Sequence, residues 1–259
     1  MGIDKIVSKK VLNRTGVMAI LRGMWPIEMA SCISEVGVNV YGISFKFESF
    51  LSRATEEGPW SVMRCCFIVK KWSMRGLVEE VDFSEVEFWV QIYNLPMDLM
   101  TQRNAEVIGR KLGRLVKVDD QKIVEGVGRS FLRIRLGIKV DEALMEGFWL
   151  PREVKERSWA QIKYEKLLEF YFACGKLGHL LKNCGEKTKM SVVDSSQMRY
   201  GPWLRAAPVR KNVGKEGGSG INGGDIGEKG YERNFWRERV ELKEIRGEGY
   251  GGEDGGGGG

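Results

Sequence analysis

Histidine is almost missing from this chain: His179 is the only one in 259 residues. Any Cys–His or Ser–His pairing for nucleophilic catalysis would have to use that one side chain, and the spacing around it gives it a different role. Long apolar runs are missing as well. The longest are of the kind found at Cys65–Val69, far below the roughly 20 residues needed to cross a bilayer, so no membrane partner is expected. Ile6 stands where a myristoylation signal needs Ser or Thr, which removes a lipid anchor. Five cysteines, an odd number, with no secretory signal fit a reducing compartment, and the expected location is intracellular, in nucleus or cytoplasm. Cys32, Cys65 and Cys66 read as small buried hydrophobes.

Enzyme signatures are absent too. Asp119 and Asp120 end a strand-like run, but Lys117 occupies the place of the aromatic residue in a reverse-transcriptase aromatic-x-Asp-Asp motif. "GVGRSF" is half of a dinucleotide fingerprint and opens a strand rather than a helix. The H-x-E and P-C-x-x-C pattern of zinc deaminases does not occur. The expectation is a protein without catalytic residues.

What is present is a globular composition, 42% apolar and 29% charged, long enough for one large domain or two small ones. A net charge of +6 with a pI near 9.0 mildly favours an anionic partner. The expected class is α+β. An N-terminal α+β half occupies residues 1–80, with an amphipathic helix carrying Val17, Ile20, Leu21, Met24 and Trp25 on one face and ended by Pro26. A strand follows with Ile43, Phe45 and Phe47 on one side. "EEGPW" then turns the chain into a second strand, "RCCFIVKKW".

Residues 81–167 read as βαββαβ, the order of a ferredoxin-like or RRM-like sheet. Thr101 caps a helix bearing Ala105, Ile108 and Leu112, and "DEALMEGFW" reads as the second, brief helix. A small knuckle at 168–186 and a linker with a Gly-rich, disordered tail at 187–259 complete the chain. No internal repeat is visible in the residues.

The alternation in "RSFLRIRLGIKV" puts Leu132, Ile134, Leu136, Ile138 and Val140 on one face, with Arg129, Phe131, Arg133, Arg135 and Lys139 on the other. Trp89, Gln91 and Tyr93 oppose Phe88, Val90 and Ile92 in the same way, and Lys163 shares a face with Trp159 and Gln161. Aromatics among cations on a sheet stack bases and neutralise phosphates. The pattern also fits a face packed against the first half, with the arginines at its rim.

In "FYFACGKLGHLLKNC", Cys174, His179 and Cys184 fall on the last three positions of C-x2-C-x4-H-x4-C, and Tyr171 holds the first. Gly175 and Gly178 suit tight turns, Lys176 and Lys182 suit phosphates, and Phe172 and Leu177 could touch a base. A weakened three-donor zinc site and a vestigial knuckle both fit this spacing.

"GPWSVMRCCFIVKKW", "FWVQIYNLP", "FLRIRLGIKV", "KYEKLLEFYFACGKLGH" and "RYGPWLRA" together resemble plant retroelement-type proteins, the Gag-like first-frame products of LINE-type elements, over residues 10–207. In these a domain of unknown function precedes a CCHC zinc knuckle. The resemblance implies single-stranded RNA or DNA as partner and zinc as cofactor, with Cys174, His179 and Cys184 on three of the four metal positions. Tyr171 departs from it. A protein-interaction scaffold that self-associates without nucleic acid or zinc is the alternative.

Overall fold

The computed structural model describes residues 1–72, 76–119, 130–150, 158–168, 170, 174–178 and 200–209. It is a mixed α+β protein with two sheets, as expected. The first half runs β1 (Gly2–Val7), α1 (Arg14–Met24), β2 (Ala30–Gly37), β3 (Val40–Phe45), α2 (Glu48–Glu56), β4 (Trp60–Val62) and β5 (Cys65–Lys71). Asn13 caps α1, its side chain accepting from the Gly16 N–H at 3.0 Å. Val17, Leu21 and Trp25 from that helix and Leu51 and Ala54 from α2 close over Ile6, Ile43, Phe67 and Val69.

The second half runs β6 (Glu85–Tyr93), α3 (Gln102–Leu112), β7 (Arg114–Val118), β8 (Phe131–Lys139), β9 (Gly147–Leu150), β10 (Ser158–Glu165) and β11 (Arg205–Ala206). Thr101 caps α3, accepting from Asn104 N–H at 3.2 Å. Ala105 and Ile108 are buried beneath β6 and β8, and Leu112 packs at the edge.

The two halves share one plan. The first sheet has the order β2-β3-β1-β5-β4 and the second β7-β8-β6-β10, with β9 and β11 on β10. Matching β1 with β6, β2 with β7, β3 with β8, β4 with β9 and β5 with β10 makes the orders coincide. Each half is thus a ferredoxin-like sheet. The difference lies between β8 and β9, where no counterpart of α2 forms. The run expected as a helix at "DEALMEGFW" is instead an extended approach to β9. A Cβ at Gly147 would sit 2.2 Å from the Ala160 carbonyl oxygen, and Phe148 and Leu150 alternate inward as strand residues do.

Other parts fill the space of the absent helix. Leu144 is buried and its N–H donates to the Gly175 carbonyl at 3.0 Å. Phe170, Leu177, Tyr200 and Leu204 join the second core, as do Val7, Cys66 and Ile68 from the helix-free face of the first sheet. Burial pushes the Cys66 thiol up to about 12, so it is an inert packing group.

Two other expectations change. Cys32, expected as a small buried hydrophobe, is exposed on β2, and Phe47 does not continue a strand face; it occupies the N-cap position of α2 without a side-chain cap bond and is exposed. The N-terminal residues form β1, and Asp4 points into the first core, fully buried, with neither carboxylate oxygen hydrogen-bonded. Burial holds its pKa well above the ordinary value, opposed only in part by the chain's amino terminus; Tyr41 is its cross-strand neighbour. The folded state therefore keeps a proton that the unfolded chain releases above about pH 4, and this carboxyl makes stability fall as pH rises until it ionises in the folded state too. Asp4→Asn should raise stability at pH 8 relative to the unaltered protein and flatten that slope, measured by urea unfolding at pH 5 and pH 8. An unchanged slope would mean that Asp4 is solvated.

Candidate nucleic-acid interface

Strand register fixes the outer face of the second sheet. Gln91 lies opposite Lys163 on β10 and Arg133 on β8, Trp89 opposite Arg135, and Tyr93 opposite Phe131 and Gln161. The sequence-predicted residues Phe131, Arg133, Arg135, Trp89, Tyr93 and Lys163 therefore do share one face. Their charges, however, are largely spent within it.

Glu165 is the centre of this arrangement. Its side chain is only 3% exposed, and it accepts from Arg133 Nε at 2.7 Å and Nη2 at 2.8 Å, a bidentate fork. Gln91, also buried, donates to Glu165 Oε1 at 2.6 Å and to the Ala207 carbonyl at 2.9 Å, and accepts from the Tyr93 hydroxyl at 2.6 Å. Burial, then the charge of Glu165, pushes the Tyr93 phenol up, so it stays a neutral donor. Arg133 also reaches Asp119 at 3.3 Å and lies 3.8 Å from the centre of the Trp89 ring.

Arg135, expected to meet phosphate, serves a different acceptor. Its Nε pairs with Glu87 at 3.0 Å, its Nη2 donates to the Thr55 carbonyl at 2.9 Å, and its Nη1 donates to the Glu56 carbonyl. Those carbonyls end α2 and have no partner inside the helix, so a cation from the second half caps the first. Lys166 adds a second cap at the Glu57 carbonyl. Arg114 is held by Glu85 at 2.7 Å and Glu87 at 3.1 Å.

What stays accessible is one end of the face. The Tyr93 and Phe131 rings are 5.0 Å apart at 42°, both half-buried, and Lys163 Nζ sits 4.8 Å from the Tyr93 centroid. Trp149 and Trp159 form an edge-to-face pair at 5.1 Å farther along β10.

Residues 174–178 lie elsewhere, docked on the core. Gly175 and Gly178 have left-handed φ of 70° and 75°, the tight turns expected there. The Tyr200 ring lies so close that a Cβ at Gly175 would come within 2.5 Å of it. The Gly178 carbonyl accepts from Lys9 N–H at 3.1 Å, and Leu177 pairs with Phe170 in an isolated bridge. Leu177, expected against a base, is 3% exposed and belongs to the core, because it fills the space of the absent helix. Cys174 is buried beside it. Phe172, His179, Lys182 and Cys184 lie outside the described residues, as do Arg129, Tyr171 and the tail.

Residues 152–186 match the family model of a zinc knuckle. No curated protein matches the chain significantly. Within the knuckle segment the described residues supply one donor, Cys174, and among them no three Cys, His, Asp or Glu side chains gather to hold a metal. The sequence adds His179 and Cys184, so the donor set is two thiolates and an imidazole. That is zinc chemistry with one tetrahedral corner left open.

The buried fork has a measurable consequence. Arg133→Met should cost about 3 kcal/mol or more, because it leaves Glu165 charged and under-partnered, and adding Glu165→Gln should recover more than half of the loss. Urea unfolding of the single and double variants decides it. Additive losses would mean that the pair is not coupled.

Proposed function

We propose that this chain is a non-enzymatic binding protein for single-stranded RNA or DNA, of retroelement-type descent, with little sequence preference. The zinc-knuckle match at residues 152–186 carries the reading, because knuckles are a common nucleic-acid-binding module. The open end of the second sheet supports it with Tyr93 and Phe131 as stacking surfaces and Lys163 as a phosphate contact. Backbone charge neutralisation would provide most of the affinity, and stacking tolerates any base. Arg133, Arg135 and Trp89 act behind this patch by fixing the sheet rather than by touching the strand. Cys174, His179 and Cys184 would hold the metal, which supplies rigidity to the knuckle turn.

The extensive acid pairing across the sheet face favours one other reading, a self-associating scaffold that binds no nucleic acid. Fluorescence anisotropy of a labelled mixed-sequence single-stranded RNA with the full chain separates them. Binding should weaken steeply with salt. Tyr93→Ala should weaken it about tenfold with the salt slope retained, and Lys163→Ala should lower the slope by about 0.7. Excess chelator should weaken binding if the three-donor site holds zinc. Concentration-dependent assembly with no RNA binding in either zinc or chelator would leave the scaffold.

A further inference from the structure

A cleft of about 320 Å³ opens where β1, the start of β6 and the docked knuckle segment meet. Three lysines line it, Lys5, Lys9 and Lys176, against one carboxylate, Asp141. They come from two parts of the fold. Lys5 projects from the helix-free face of β1, Lys9 follows that strand, and Lys176 lies between the two left-handed glycines of the knuckle. The hydrogen bond from Lys9 N–H to the Gly178 carbonyl fixes the two chain segments to one another, so the backbone places Lys9 and Lys176 on the same cleft.

Phe83 forms part of the wall. Lys5 Nζ is 5.6 Å from its ring centroid and Lys70 Nζ 5.7 Å, with Lys70 also donating to the Asp82 carbonyl. Two ammonium groups therefore approach one aromatic ring beside a concavity that Lys5 and Lys9 also line. The second described cleft, about 260 Å³ near Arg135, lacks this character because Arg135 and Glu87 are already paired there.

We propose that this cleft binds one nucleotide of a single-stranded nucleic acid, with the phosphate among Lys5, Lys9 and Lys176 and the base against Phe83. The size suits a nucleotide, near the lower end of small-ligand pockets. An aromatic wall beside several cations is the combination that holds a base and its phosphate without reading sequence. The assignment rests on the nucleic-acid reading above and extends it to the first half of the chain. It also gives Lys176 a role within a site shared by knuckle and β1.

The test uses the full chain and the same labelled single-stranded RNA. Lys5→Ala with Lys9→Ala should weaken binding about tenfold or more and lower the salt slope by about 1.4, the share of two phosphate contacts on a single strand. Phe83→Leu should weaken binding with the slope unchanged, since it removes stacking and no charge. Arg22→Ala with Lys46→Ala, which removes the same charge elsewhere, should change binding much less. Equal weakening by the two charge-removing doubles would overturn the cleft in favour of general basic charge. Unaltered binding in the Lys5/Lys9 and Phe83 variants, alongside loss in Tyr93→Ala, would overturn the cleft and keep the nucleic-acid function. Absence of RNA binding by the unaltered protein would overturn both. Inorganic phosphate and a free nucleoside monophosphate, added as competitors, identify the source of the recognised group: displacement of RNA at low millimolar nucleotide but not phosphate supports a nucleotide seat, and equal displacement by both reduces it to an anion site and overturns the base contact.

Discussion

The second sheet lacks a helix where the first has α2, and its core has to be closed by something else. Leu144, Phe170, Leu177, Tyr200 and Leu204 do this, drawn from segments far apart in the sequence. Backbone hydrogen bonds add to the apolar contact. The Gly175 carbonyl receives the Leu144 N–H, and the Gly178 carbonyl receives the Lys9 N–H. Phe170 and Leu177 are thereby part of the core of the second half, and Gly175 and Gly178 are bonded to it.

The same economy governs charge. A sheet face rich in arginine looks like a phosphate surface until its acids are placed. Glu165 is buried and needs Arg133; the last carbonyls of α2 need Arg135 and Lys166. Guanidinium groups suit both uses because their planar donors match carboxylate and carbonyl alike. Among the described residues, the cations placed beside aromatic rings for an outside ligand are Lys163 at the Tyr93–Phe131 end of the second sheet and Lys5 at the cleft beside Phe83.

Local periodicity made much of this fold legible. The alternation in β8 and β6 identifies the inward rows correctly, and Thr101 marks the start of α3. Elements that depend on distant partners were harder to read. Asp4 interrupts the apolar signal of β1, and α2 is short and begins directly after a strand whose pattern runs on to Phe47. "DEALMEGFW" has helical spacing, yet Gly147 must lie against the Ala160 carbonyl, a contact thirteen residues away. The roles of Arg135 and Leu177 follow from tertiary neighbours that no local window contains. The repeated topology is equally hidden, since it resides in strand order and in no shared residues.

Tyr200 against Gly175 has a bearing on how this segment can change over time. A side chain at that glycine would collide with the ring and strain a left-handed backbone, so the turn is held by the needs of the fold. A metal ligand has no such protection. The two kinds of position are therefore held by different demands: Gly175 by the ring it lies against, a donor position by the metal it would hold.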